Sequence, residues 1–292
     1  MTVRTTSAAI GLAMAAVIAF AAAPAAANHP VLVEGNNASD GLSLTIVDPP
    51  GTGGDYDGDG NVGLAEDVDN ATDRIFGTIG AALLGANGGA NANGSVTIVS
   101  SGRFPEQIVL PNTGAGQAAI NGVTLIEAAP GVEAIIDAVL QGDPGNATRQ
   151  AGNGIVINTA DTDRVIVLRN LTIRNFQIGL QVMGNSRVIC ENCRFDSNVV
   201  ANVSVSDNAS LTLVDCSVRA GGMRFNPTKA TPNPGDGVVF SGNAKGTISD
   251  CEIVGNTAAG VRNGSSSLVR VTGGSTVFDN VPNFVGRVLQ TP

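Results

Sequence analysis

From Ser95 onward the sequence alternates apolar and polar positions in short runs, broken every few residues by Gly, Asn or Asp. A period of two is the mark of a strand with one buried face. Four runs, "DRVIVLRNLTIRN", "SRVICENCRFDSN", "ASLTLVDCSVRAG" and "KGTISDCEIVGNT", superpose on one another. One inward column then holds Leu171, Cys193, Cys216 and Cys251, closed by Gly274, at steps of 22, 23, 35 and 23 residues. A second column holds Leu168, Cys190, Leu213, Ile248 and Val271, and a third Ile173, Phe195, Val218, Ile253 and Thr276. The step of 35 is one repeat of 23 with 12 residues inserted. A period near 22, built from β-branched alternation and Gly/Asn punctuation, predicts a β-solenoid, in which each coil buries its inner face only by stacking on its neighbours. Leucine-rich repeats share the period but require an L-x-x-L-x-L-x-x-N frame, which these runs lack.

The chain upstream reads differently. Arg4, an apolar run over residues 8–20 and Ala25-Ala26-Ala27 form a secretory signal peptide, 1–27, with a small-residue cleavage site. A spanning helix needs ~20 apolar residues, and this run reaches that length only by counting the alanines of the cleavage region. The mature chain is therefore expected to be secreted or periplasmic, with no membrane span. The formal charge is −9, and becomes −10 when the leader leaves with Arg4 and no acidic residue. So acidic a chain is not expected to bind nucleic acid. Tryptophan is absent and Tyr56 is the one tyrosine, which suits short strands and tight turns.

Residues 78–283 resemble the right-handed parallel β-helix proteins of the pectin lyase-like kind. The resemblance runs from the helix "IGAALLG", placed as the usual N-terminal cap, through a first coil "VTIVSSGRFPEQIVL", a second "GVTLIEAAPGVEAIIDA" and the later coils. It implies an all-β fold, a single-stranded right-handed parallel β-helix over 95–292, preceded by an N-terminal segment, 28–94. It does not fix an activity, because that fold carries lyases, hydrolases, esterases, epimerases and adhesins. "GRFPE" is similar to the G-x-Y-x-E strand of pectin methylesterases, but Phe104 replaces the tyrosine and that family's later motifs are missing. "RFPEQI" begins like the R-x-P-x-x-R of pectate lyases, with Arg103 and Pro105, but lacks the second arginine. The polygalacturonase motifs are absent, and the single histidine, His29, precedes the solenoid. The resemblance therefore favours a binding or structural surface module, with a calcium-dependent polysaccharide lyase as the alternative.

Three features could carry function. Asn170, Asn192, Asp215 and Asp250, followed by Gly273, stand one residue before the cysteine column. They read as a polar turn ladder, or else as a pair of adjacent aspartates that shift one another's pKa or hold a cation. The stacked cysteines read as a buried thiol ladder or as disulfides; coil spacing permits a bridge, but parallel side chains point the same way. Two longer insertions, "QGDPGNATRQAGN" and "AGGMRFNPTKATPNPGDG", precede Gly154 and Gly237 at one corner of the coil. They bring Arg149, Arg224 and Lys229 to one side of the solenoid, where an acidic polysaccharide or cell-surface glycan could bind, unless they are ordinary solvated loop tips.

The segment "DYDGDGNVGLAED" fits D-x-[DN]-x-[DN]-G-x5-E at every specified position. Asp55, Asp57, Asp59 and Glu66 supply carboxylates at positions 1, 3, 5 and 12, Gly60 takes the sharp turn, and Asn61 offers its carbonyl at position 7. Carboxylates so crowded repel one another unless a hard cation gathers them, so calcium is the expected cofactor. No entering helix precedes the loop, which therefore resembles dockerin-type and other extracellular single-loop calcium modules. Such modules bind at ~10⁻⁴–10⁻³ M, which suits a constitutive brace. Calcium at 100 times the dissociation constant would add about 2.7 kcal/mol. Calcium should accordingly raise the thermal midpoint of the mature protein, and Asp55→Ala with Glu66→Ala should abolish the rise. Equal midpoints in calcium and in chelator would refute the assignment.

Overall fold

The computed structural model describes residues 31–33, 75–76, 79–80, 82–83, 95–98, 101–110, 123–138, 152–160, 163–222 and 235–291. Nearly all its regular structure is strand, in three parallel sheets of ten, seven and seven strands, here named A, B and C. Each coil contributes one strand to each sheet in that order, as in Val165–Arg169, Leu171–Arg174 and Ile178–Gly184. Every strand pairs in parallel with its counterpart one coil away. Sheet A continues past the first coil through Val31–Val33 and Ile75–Phe76. The strands alternate buried and part-exposed positions, and the buried set forms one continuous core.

The predicted inward columns hold through most of the stack. Leu168, Cys190, Leu213, Ile248 and Val271 are in register on sheet A and fully buried. In the last coil the other two columns are shifted by one residue. Glu252 pairs with Thr276, so Val277 rather than Thr276 follows Ile253, and Ser275 rather than Gly274 follows Cys251. Gly274 is exposed and Ser275 is buried. The cause is one extra residue between the sheet A and sheet B strands, absorbed at Gly273-Gly274, where the backbone can turn without a Cβ. At Gly273, with φ of +62°, a Cβ would stand 2.5 Å from Asp250 Oδ1.

Each coil turns three corners, and each corner has a column of left-handed residues. From A to B these are Asn170, Asn192, Asp215, Asp250 and Gly273; from B to C, Asn175, Ser197, Ala220, Gly255 and Asp279; from C to A, Gly184, Asp207 and Gly242. Asn, Asp and Gly are the residue types that enter this region at least cost. Amide ladders follow the corners. At the outer C-to-A corner Asn208 Nδ2 donates to Asn185 Oδ1 at 3.3 Å, Asn243 Nδ2 to Asn208 Oδ1 at 3.1 Å, and Ser266 Oγ to Asn243 Oδ1 at 2.9 Å.

The B-to-C corner holds a buried ladder. Asn198 Nδ2 donates to Asn202 Oδ1 at 2.8 Å, Asn202 Nδ2 to Asn256 Oδ1 at 2.9 Å, and Asn256 Nδ2 to Asn280 Oδ1 at 2.7 Å. Asn198, Asn202 and Asn256 are at most 1 % exposed. Between Asn198 and Asn256 one coil lacks the corner asparagine and has Gly221 there, and Phe176 holds the position in the coil before Asn198. Asn202 fills the gap from the next column over, where register places Gly154, Gly179, Gly237 and Gly260 in the other coils. The two exceptions compensate each other, a glycine in the asparagine column and an asparagine in the glycine column.

The N-terminal end is closed by the helical residues 79–80 and 82–83, of which Ile79, Ala82 and Leu83 are buried. Glu106, from the "GRFPE" strand region, caps this helix. Its Oε1 accepts the Ile79 N–H at 2.9 Å and its Oε2 the Gly80 N–H at 2.7 Å. A carboxylate at a helix N-terminus satisfies orphan donors and complements the helix dipole. The glutamate that resembles an esterase strand is therefore a clasp between cap and first coil.

Two predictions follow from these contacts. Asn202→Gly strands buried amides on both sides and should cost on the order of 2–3 kcal/mol. Gly221→Asn alone should also destabilise, since its Cβ would meet Asn256 Oδ1 and the Asp236 carbonyl at 2.8 Å each. Together they should cost clearly less than their sum, as urea melts would show; strict additivity would mean that the two positions do not share one gap.

For Glu106, burial outweighs the two backbone hydrogen bonds and raises its carboxyl above the ordinary range. A raised folded pKa contributes stability below the unfolded value that is lost as pH rises through the folded one. Between about pH 4 and about pH 7 the wild type should therefore lose ground to Glu106→Gln, which keeps one acceptor and does not ionise. A difference in thermal midpoint that is constant across this range would contradict it.

Candidate functional site

The calcium-loop residues Asp55, Asp57, Asp59, Asn61 and Glu66 lie outside the described residues, as do Arg149, Arg224 and Lys229. The topology nevertheless bears on the last three. Both insertions join a sheet B strand to a sheet C strand, one between Ala134–Asp137 and Ile155–Thr159, the other between Ser217–Arg219 and Asp236–Phe240. They therefore belong to the same corner, three coils apart, as the repeat pattern predicts.

The Asn/Asp column is a turn ladder. Asn192 Nδ2 donates to Asn170 Oδ1 at 2.9 Å, and Asn170 Nδ2 to the Ala128 carbonyl at 3.0 Å. Asp215 and Asp250 form its exposed end. Asp250 accepts the Ser249 hydroxyl at 2.6 Å and the Gly274 N–H at 2.8 Å, which hold its carboxyl below the usual range.

The four cysteines are buried and free, and three of them form the predicted thiol ladder. Cys251 Sγ donates to the Ser249 carbonyl at 3.1 Å and accepts the Cys216 N–H at 3.3 Å. Cys216 Sγ donates to the Val214 carbonyl at 3.2 Å. Ser275 ends the column in the same manner, its hydroxyl donating to the Thr272 carbonyl at 2.7 Å and accepting the Cys251 N–H at 3.1 Å. The hydrogen bond with Cys193, together with burial, pushes the Cys216 thiol up to about 12. Desolvation raises Cys190, while thiol contacts with Cys190 and Cys216 respectively raise Cys193 and Cys251. Such thiols are neither nucleophiles nor metal ligands at neutral pH.

With the interior closed, chemistry is left to the three outer walls. On sheet C, Arg262 is committed to Asp236, donating from Nε and Nη2 to its two oxygens at 2.9 Å each. A lyase of the kind the resemblance implies needs an uncommitted arginine to take a proton. On sheet A, Arg169 bridges Glu127 at 3.0 Å and Glu191 at 2.7 Å, one coil to either side.

Sheet B presents a different balance. Asp137, Arg174, Asp196 and Arg219 stand in one outward column, one per coil. Arg103 and Arg194 belong to the adjacent outward column, with Ile135 and Thr172 between them. Arg174 Nε donates to Asp137 Oδ2 at 2.8 Å and Arg103 approaches the same oxygen at 3.8 Å. Arg194 Nη2 and Arg219 Nε donate to Asp196 Oδ2 at 2.7 and 3.2 Å. Asp137 is buried, but the four arginines are between 25 and 43 % exposed. Four guanidiniums thus face two carboxylates on a chain of charge −9. Each guanidinium has five donors, most of them left over here. Arg194 Nε is buried without any partner. Beside this row, at the A-to-B corner, a hollow of about 550 Å³ is lined by Gly131, Glu133, Asn170, Thr172 and Asn192 among others.

Of these arginines only Arg103 stood out in the sequence, as the start of a lyase-like motif and not as part of a row, because attention to inward columns passes over the positions between them. The signal was present: once Ile173, Phe195 and Val218 are aligned, Arg174, Asp196 and Arg219 fall into register one residue further on.

Comparison with known proteins agrees with this architecture. No curated protein and no solved structure matches the chain. The family described as "Right handed beta helix region" matches residues 108–276, more than half of the chain. From its parallel coils and this match, the chain belongs to the right-handed β-helix family.

Proposed function

We propose that the protein is an exported, calcium-braced β-helix that binds an acidic polysaccharide along its outer wall. The observation that carries this reading is the surplus of arginine on sheet B. The buried Asp137 is already held by Arg174 and Asn175, and part-exposed ion pairs such as those of Asp196 contribute only about 0–1 kcal/mol each, so stability does not account for Arg103 and Arg194 as well. Guanidinium forks match carboxylate and sulfate oxygens in pairs. They stand here in two adjacent columns, Arg174 and Arg219 two coils apart and Arg103 and Arg194 three, at multiples of the ~4.8 Å coil spacing, so a linear polyanion could meet them in series. The spacing of Asp55, Asp57, Asp59 and Glu66 supports the calcium brace, and the sequence of residues 1–27 supports export.

The test is binding of polygalacturonate and dextran sulfate, with neutral dextran as control, to the wild type and to Arg103→Gln with Arg194→Gln. This pair leaves Arg174 on Asp137 and Arg219 on Asp196, so the fold should persist, as a thermal melt would confirm. Charge-assisted hydrogen bonds are worth about 1.5–3 kcal/mol, so the double variant should bind at least tenfold more weakly, and wild-type binding should fall steeply with salt. Absence of wild-type binding, or equal binding by the variant, would overturn the reading. Unsaturated product absorbing in the ultraviolet, formed with calcium present, would replace it with lyase activity.

A further inference from the structure

The outer wall of sheet A changes character along the solenoid. Toward the N-terminus it is closed by the Glu127–Arg169–Glu191 bridge. Toward the C-terminus, in the strands Ser210–Val214, Lys245–Ser249 and Val269–Thr272, it opens into a concavity of about 450 Å³. Its lining includes Ser210, Thr212, Lys245, Thr247, Leu268 and Arg270.

Register fixes how these side chains are arranged. Ser210 pairs with Lys245, and Thr212, Thr247 and Arg270 follow one another in the next outward column. Lys245 and Arg270 are therefore diagonal neighbours, one coil and two residues apart, each beside a hydroxyl. Both are exposed, and among the described residues neither makes an ion pair or side-chain hydrogen bond. The hydroxyls of Ser210, Thr212 and Thr247 are likewise unengaged. Arg187 continues the Lys245 column two coils toward the N-terminus. Leu268, 38 % exposed, supplies an apolar rim.

This contrasts with Arg169, Arg174, Arg194, Arg219 and Arg262, each of which touches a carboxylate. Two like charges held on a diagonal repel each other, and the repulsion turns to attraction for both when an anion lies between them. The hydroxyls both donate and accept, as sugar hydroxyls do. The apolar rim suits the C–H face of a pyranose ring. Cations, free hydroxyls and one apolar edge in a shallow hollow match an anionic sugar better than a bare inorganic ion or a neutral glycan.

We infer that Lys245, Arg270 and the hydroxyls between them form a second binding site, on sheet A, for a single anionic sugar unit bearing a carboxylate or a sulfate ester. The site is separate from the arginine row of sheet B, and the two are tested by different substitutions. A short uronate oligosaccharide, a sulfated one of equal length, a neutral one and inorganic sulfate are titrated by calorimetry against three proteins. These are the wild type, Lys245→Ala with Arg270→Ala, and Arg103→Gln with Arg194→Gln. All four substitutions are at surface positions, and thermal melts establish that the fold is kept. The expected result is that at least one anionic oligosaccharide binds the wild type, and binds the Lys245/Arg270 variant at least tenfold more weakly. The Arg103/Arg194 variant should keep most of that affinity. Three results would each overturn the site: no binding of either anionic oligosaccharide, equal affinity in the Lys245/Arg270 variant, or neutral sugar or inorganic sulfate binding as tightly as the anionic sugar. Loss confined to the Arg103/Arg194 variant would also overturn it, and would assign the oligosaccharide to sheet B.

Discussion

A chain that stacks on itself every ~4.8 Å must repeat at each level whatever it did at the level below. The corners are where this constraint bears hardest, because there the backbone leaves one sheet for the next and its polar groups lose their regular partners. The solution is alike at all three corners: one residue in the left-handed region, with amides or hydroxyls bonded to their counterparts above or below, as a ladder at the B-to-C and C-to-A corners and between Asn192 and Asn170 at the A-to-B corner. The buried asparagine ladder shows how strict the requirement is. Where the asparagine is missing at Gly221, the neighbouring coil supplies Asn202 rather than leave the column broken.

The corners free the outer walls from structural duty. Packing fixes the inward columns and hydrogen bonding fixes the corners, so outward residues answer to little except their lateral neighbours. Those neighbours still form columns, which is why charges arrive as rows: Glu127–Arg169–Glu191 on sheet A and Asp137–Arg174–Asp196–Arg219 on sheet B. A row of fixed pitch is a poor pocket for a small molecule and a good template for a polymer with a repeat of its own.

The inner columns were legible in the sequence because burial tolerates so few residue types that Leu168, Cys190, Leu213 and Ile248 align by inspection. The one failure, in the last coil, came from an extra residue taken up by Gly273-Gly274, where alternation gives no register. The buried ladder was harder to see. Asn198 and Asn256 look like ordinary turn residues, and only their burial to within 1 % separates them from solvated ones. The role of Glu106 could not be read either, since its partners Ile79 and Gly80 are more than twenty residues away. For the site, the sequence located the corner of the two insertions and Arg103, but not Arg174, Arg194 and Arg219 beside it on sheet B or the pair Lys245 and Arg270. Those depend on which outward residues meet laterally, and that is known only once every coil is in register.

The thiol ladder has a consequence for how such a chain would fare under oxidising conditions. Disulfide exchange needs a thiolate, and an unfolded cysteine with a pKa of about 8.5 offers a small but steady supply of it. In the finished stack the supply ends, because all four sulfurs are buried and those of Cys193, Cys216 and Cys251 keep their protons on carbonyls. Resistance to oxidation therefore belongs to the assembled coils and to none of the cysteines singly. Between synthesis and stacking the chain is in a race: coils that close over Cys190, Cys193, Cys216 and Cys251 before an oxidant arrives are protected from then on, and coils that close late are not.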